Sequence, residues 1–175
     1  MAFRTRMIAT AEPAPLTITD LNRHRRIGAS SMLLELGDFR ILVDAGMDPK
    51  EIGNASLPDY SRLGDGPLDL ILLTHCHLDH LGSLPLVVRR HPEAAMLCSR
   101  PSQYLATRML RNSYNVMKRQ REEMNIPEYP LYHKGDLDMV DEVLMPVLAS
   151  RDPGVHEVVA QLADQHVELD RTLDF

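Results

Sequence analysis

Thr74-His75-Cys76-His77-Leu78-Asp79-His80-Leu81-Gly82-Ser83-Leu84-Pro85 crowds three imidazoles and a carboxylate into six positions of a chain with 8 His in 175 residues. The cluster follows LDLILLTH (68–75), a near-continuous apolar run of the kind expected of a strand buried on both faces. The polar residues therefore stand at the carboxyl end of that strand, where sites collect in open α/β sheets. A lone histidine is most often a cap or a core residue, and His24, His91, His133, His156 and His166 are read that way. The cluster is different, because four polar groups left unpaired at a strand end would carry a desolvation cost. Chance produces the pattern about once per thousand chains of this length.

Read as His-x-His-x-Asp-His, the stretch has the donor chemistry of a metal centre. If the strand yields to a loop at Thr74, residues 75, 77 and 79 turn toward one side and His80 leaves at another angle. His75 and His77 are then expected to hold one ion, and Asp79 and His80 a second. Imidazole nitrogen with carboxylate oxygen suits Zn²⁺, and ligand type alone also admits Mn²⁺ or Fe²⁺. Two such ions, roughly 3.5–4 Å apart, would activate a water and clamp the attacking and leaving oxygens of a hydrolysis. Asp44, in ILVDAG (41–46), ends a strand in the same manner. It is expected either near the cluster, accepting a hydrogen bond from a ligand imidazole, or in a simple turn before Gly46.

The bulk numbers describe an ordinary globular domain with a real core: 44% hydrophobic, 25% charged, 9 Gly and 12 Pro. A net charge of −6 provides no global field for nucleic acid, so a polyanion would need a local basic patch or metal ions. The two cysteines, Cys76 and Cys98, cannot staple a secreted mini-domain, and a reduced thiol inside the histidine cluster suits a reducing, cytoplasmic setting. No run approaches the roughly 18 apolar residues of a membrane span. Nothing in the sequence speaks to oligomeric state.

Along the chain, residues 1–15 read as a loose leader and 16–175 as one domain. SSMLLELGDFRILVDAG (30–46) reads as a β-hairpin turned at Gly37-Asp38. After the cluster come a short helix ending near Pro92, a strand at AAMLCS (94–99), and a long helix opened by Pro101 and Ser102. A second helix, DLDMVDEVLMPVL (136–148), has Asp136 as its expected N-cap and Pro146 limiting its length. Strand–helix alternation of this kind predicts an α/β or α+β layered domain. The long helix carries Arg108, Arg111, Lys118, Arg119 and Arg121, read either as a surface for phosphates or, more simply, as a solvated face interleaved with Glu122 and Glu123.

The cluster, with ILVDAG and GASSMLLELG upstream of it, resembles the N-terminal half of the metallo-β-lactamase-fold hydrolases. The resemblance covers roughly residues 16–148. It implies an αββα sandwich, metal-ligand roles for His75, His77, Asp79 and His80, and a supporting role for Asp44 behind them. HLDHLGSLP and LYHKGDLDMVDEVLMPV are most similar to the RNA-processing nucleases that carry an inserted β-CASP domain. The implied activity is hydrolysis of RNA phosphodiester bonds by a metal-activated water, with Asp79 as ligand and proton acceptor. A thioester or lactone hydrolase on the same fold and a non-catalytic truncated relative are the alternatives. The family's third motif, a His in a Gly-His-x-x-Gly setting, has no counterpart; His156 and His166 lack that context. The expectation is an N-terminal portion of a longer protein, with an exposed sheet face, low solubility and weak or no activity by itself.

Overall fold

The computed structural model describes residues 15–24 and 27–147. The expected leader, apart from Pro15, and His156 and His166 lie outside the described residues.

Strands β1 (Leu16–Asp20), β2 (Met32–Leu36), β3 (Phe39–Val43), β4 (Leu70–Leu73) and β5 (Ala95–Cys98) form one sheet in the order β1-β2-β3-β4-β5. The first two pairings are antiparallel and the last two parallel. Helices α1 (Leu78–Leu81), α2 (Leu84–Arg90), α3 (Arg100–Met124) and α4 (Lys134–Val147), with two short 3-10 turns at Gly53–Ser56 and Tyr60–Leu63, complete the described elements. The hairpin turns at Gly37, whose φ of 59° is the left-handed conformation a two-residue connection needs and a residue without Cβ adopts at little cost. Strand β1 was not expected from the sequence, although LTITD alternates as a strand should. Its side chains are mostly exposed, so pairing with β2 rather than burial holds it.

Because side chains alternate across a sheet, the register sorts them into two faces. Leu33, Leu42, Ile71 and Met96 are consecutive partners across β2 to β5, all at most 2% exposed. They pack in one core with Leu81 of α1, Leu84, Val87 and Val88 of α2, Leu110 of α3 and Val140 of α4. Each fully buried aliphatic chain contributes about 1.5–3 kcal/mol. The opposite face carries Leu16, Ile18, Met32, Leu36 and Phe39, between 40% and 60% exposed. The described residues thus supply one sheet and its helical layer, while a second apolar face meets solvent.

Two helix starts differ from expectation. Helix α3 is capped by Ser99, two residues ahead of Pro101, and its hydroxyl accepts the Ser102 amide at 3.2 Å. Asp136 is not the N-cap of α4. It sits in the first turn, where Oδ2 accepts the amide of His133 at 2.8 Å and Arg89 Nη1 at 3.0 Å. This is the return half of a capping box, in which a carboxylate one turn in reaches back to the preceding free amide.

His91 closes α2 and is 9% exposed, with Nε2 buried and lacking a hydrogen-bond partner. Burial, and then the charges of Arg90 and Arg40, hold its imidazole below the usual 6.5. As pH falls below about 6.5, the unfolded chain takes up a proton that the folded chain resists, so this group lowers stability toward acid. His91→Leu is expected to flatten the decline in urea midpoint between about pH 7 and about pH 5 relative to the wild type, without loss at neutral pH.

Candidate metal centre

Strands β3 and β4 end side by side, Val43 opposite Leu72, and both bring chemistry to the same edge. After Val43 the chain enters Asp44, 3% exposed and left-handed at φ 60°, an uncommon conformation for a residue with a side chain. Two backbone bonds hold it there: its amide donates to Leu72 O at 2.8 Å, and its carbonyl accepts Ser31 Oγ at 3.0 Å. The turn lays residues 45–47 against the segment that follows β4. Ala45 N donates to His80 O at 2.7 Å, Met47 N to Leu78 O at 2.9 Å, and Ser83 N to Ala45 O at 2.8 Å. Ser30 completes the clamp, donating to Asp79 O at 2.8 Å and accepting from Gly46 N at 2.9 Å. A Cβ on Gly46 would fall 1.7 Å from Asp79 O, so only glycine permits this approach.

The Asp44 carboxylate organises the side chains. Oδ1 accepts the Thr74 amide at 2.8 Å, and Oδ2 lies 2.8 Å from Thr74 Oγ1 and 2.7 Å from His80 Nδ1. An ionised carboxylate only accepts, so His80 donates through Nδ1 and Thr74 donates its hydroxyl proton. Thr74 Oγ1 then accepts from His75 Nδ1 at 3.0 Å. One buried carboxylate thereby sets two histidines, His80 directly and His75 through Thr74, in the tautomer that leaves Nε2 bare.

Those bare nitrogens share a small space with Asp79. His75, Asp79 and His80 each present a ligand atom within 4.8 Å of the others, and His80 Nε2 lies 3.7 Å from Asp79 Oδ2. The His75 ring is centred 3.9 Å from that of His80 and 4.8 Å from that of His77. The expected alternation along an extended strand is not how the residues are presented. β4 stops at Leu73, His77 caps α1, and Asp79 and His80 lie in that helical turn, held by the bonds of Leu81 N to His77 O and Gly82 N to Leu78 O. His75 consequently stands between His77 and His80 rather than beside His77 alone.

Burial disfavours the charged form of His80, but the hydrogen bond and charge of Asp44, with Asp79, outweigh it and raise the pKa. His75 goes the other way, lowered by its own burial and by the charge of His80. Two imidazoles and a carboxylate converging on one point match the donor preferences of Zn²⁺ and related ions. A second group with ligand-like spacing, His24, Asp48 and Glu51, is self-engaged: Asp48 Oδ1 accepts the Lys50 amide, and His24 Nε2 is 3.8 Å from Glu51.

The sequence reading passed over Thr74, Ser30 and the close approach at Gly46. The available signals were the hydroxyl directly before His75 and the glycine two residues after Asp44. Asp44→Ala leaves the Thr74 amide without its acceptor and removes the left-handed turn's reward, so a loss of about 1–3 kcal/mol is expected in urea denaturation. Gly46→Ala is expected to cost at least as much, since backbone rather than a flexible side chain must move.

Several known proteins are similar to this chain over part of its length. The transcription termination factor FttA of Methanocaldococcus jannaschii is 27% identical over 113 residues, covering 62% of this chain and 17% of the factor. The endoribonuclease YSH1 of Kluyveromyces lactis is 37% identical over 75 residues, 43% of this chain and 10% of the enzyme. The cleavage and polyadenylation specificity factor subunit 3-I of Arabidopsis thaliana is 32% identical over 75 residues, 43% of this chain and 11% of the subunit. The chain thus spans less than a fifth of the length of these relatives. Among solved structures, the subclass B3 enzyme MEM-A1 from a soil metagenome library aligns with 54% of this chain and 35% of that one, at 24% identity and a TM-score of 0.38. The family model of the metallo-beta-lactamase superfamily matches residues 24–160, and the chain belongs to that superfamily.

Proposed function

We propose that this chain carries the ligand-bearing part of a metal-dependent hydrolase acting on phosphodiester bonds of RNA. The observation that carries the reading is the convergence of His75, Asp79 and His80 under the direction of Asp44. The RNA substrate is supported by the similarity to the endoribonuclease YSH1. In this reading His75 and His77 hold one divalent cation and Asp79 and His80 a second, zinc suiting the donors best.

Bound cations would supply Lewis acidity, lowering the pKa of a water and neutralising the charge that develops on phosphate. The chain's own residues do the rest. Asp44 and Thr74 fix the imidazoles so that each offers a lone pair in a constant direction, the role that outer partners of metal-ligating histidines commonly serve. Asp79, partly exposed, would take the proton of the attacking water. The buried residues Ile71, Leu72 and Leu73 of β4 keep this edge rigid. A reducing cytoplasmic setting is supported by the free thiols of Cys76 and Cys98, the latter pushed up to about 11 by burial and so protonated.

The test is metal content by elemental analysis after purification without chelator, followed by zinc titration of stripped protein and assays on labelled RNA and on a thioester panel. Zinc is expected to bind, more weakly than in a closed four-coordinate site, with RNA cleavage slow and zinc-dependent. Thr74→Val should weaken zinc binding by about tenfold, in the range typical for groups behind the ligands, and Asp79→Ala should abolish cleavage. Protein that holds no transition metal and ignores added metal would overturn the reading, and thioester turnover without RNA cleavage would overturn the substrate.

A further inference from the structure

The basic helix expected from sequence divides in the structure into cations spent on the fold and cations left outside. Arg111 pairs with Asp141 at 2.8 Å and Asp138 at 3.4 Å, tying α3 to α4, and Arg121 donates to the Tyr129 carbonyl at 2.8 Å. On another face, Arg100, Tyr104, Arg108, Asn112 and Asn115 follow one another at three- and four-residue steps, all exposed, before Arg119, which pairs with Glu123 at 3.9 Å. Such spacing makes one ridge, with neighbours about 6 Å apart along the axis. No acidic residue interrupts it before Glu122, in a chain whose net charge is −6.

Tyr104 is the anomaly on this ridge. It is 71% exposed, next to Leu105 at 41%, and Arg108 lies over its ring with Cζ 5.9 Å from the centroid. An exposed tyrosine stacked on one face by a guanidinium contributes little to the fold and offers a flat π surface beside a positive charge. Its location is equally specific. Leu73 pairs with Cys98, so His75 and Arg100 each begin two residues beyond neighbouring strand ends on one sheet edge, and α1 packs against α3. Tyr104 is about 7 Å along the helix from its Ser99 cap.

We infer that the first turns of α3, Tyr104 between Arg100 and Arg108, form a shelf where a base of single-stranded RNA stacks while the guanidiniums take its flanking phosphates. The strand would lie along the edge that presents His75, Asp79 and His80. The inference rests on the RNA reading above and names the surface that receives the substrate. Stacking on an exposed ring requires an unpaired base, which favours single strands over duplex. With the whole chain acidic, a polyanion held without metal needs a local ridge of this sign.

The experiment is fluorescence anisotropy of a labelled oligoadenylate with the 175-residue chain in chelator, so that no cleavage intervenes. Tyr104→Ala is expected to weaken binding by about tenfold, Tyr104→Phe to restore it, and Arg108→Ala to lower the salt slope by about one. Equal binding by Tyr104→Ala and wild type overturns the shelf, as does wild-type binding weaker than about 0.1 mM. A change confined to self-association in sedimentation also overturns it, marking Tyr104 as a protein contact. The two readings separate cleanly. Binding through Tyr104 by protein that holds no transition metal and ignores added metal sinks the hydrolase and keeps the shelf; RNA cleavage with an unaltered KM in Tyr104→Ala sinks the shelf and keeps the hydrolase.

Discussion

The buried carboxylate of Asp44 is the constraint on which the site depends. Its left-handed backbone costs about 1 kcal/mol for a residue with a side chain. That cost is offset by a set of buried hydrogen bonds worth about 1 kcal/mol each: Leu72 and Ser31 to its backbone, and Thr74 and His80 to its side chain. The same turn sends Ala45, Gly46 and Met47 along the back of the ligand segment, so the position of Asp79 and His80 follows from backbone bonds rather than from their own side chains. Strain and ligand geometry are two ends of one device.

That device works because the sheet beneath it is stiff. The row Leu33, Leu42, Ile71 and Met96 packs against all four helices and aligns the ends of β3, β4 and β5. Each strand end then releases a different contribution at one edge: Asp44 from β3, the histidines from β4, and the start of α3 from β5. In an open α/β sheet this edge is where loops can converge without disturbing the core. A short helical turn clamped to a neighbouring strand end is a compact way to gather imidazoles and a carboxylate.

The two faces of the sheet divide the labour unequally. One is sealed by the helical layer, while Leu16, Ile18, Leu36 and Phe39 lie open on the other. An apolar face of this extent is uncommon on a soluble monomer's surface. It matches the expectation of a sandwich of which the described residues form one sheet and one helical layer.

Much of this was legible without coordinates. The apolar run 68–75 announced a buried strand, the hairpin was readable from Gly37-Asp38, and α2, β5 and α3 fell near where periodicity and prolines put them, while α4 runs through Pro146, the residue expected to limit it. Local chemistry decides such features, because hydrophobic period, turn residues and breakers act over a few positions. Helix starts were less legible: Ser99 and Asp136 compete with their neighbours for the same amides, and only the folded backbone decides which reaches. The residue types of the cluster were likewise determined by sequence, but not their arrangement. Alternation past the strand end suggested His75 with His77 but not the clamp of residues 45–47 on 78–80, which winds Asp79 and His80 into a helical turn beside His75. That outcome depends on Ser30, Asp44 and Gly46, which lie more than thirty residues upstream of the ligands they position. Contacts between such distant segments form only when β3 and β4 pair, and so tertiary structure alone decided them.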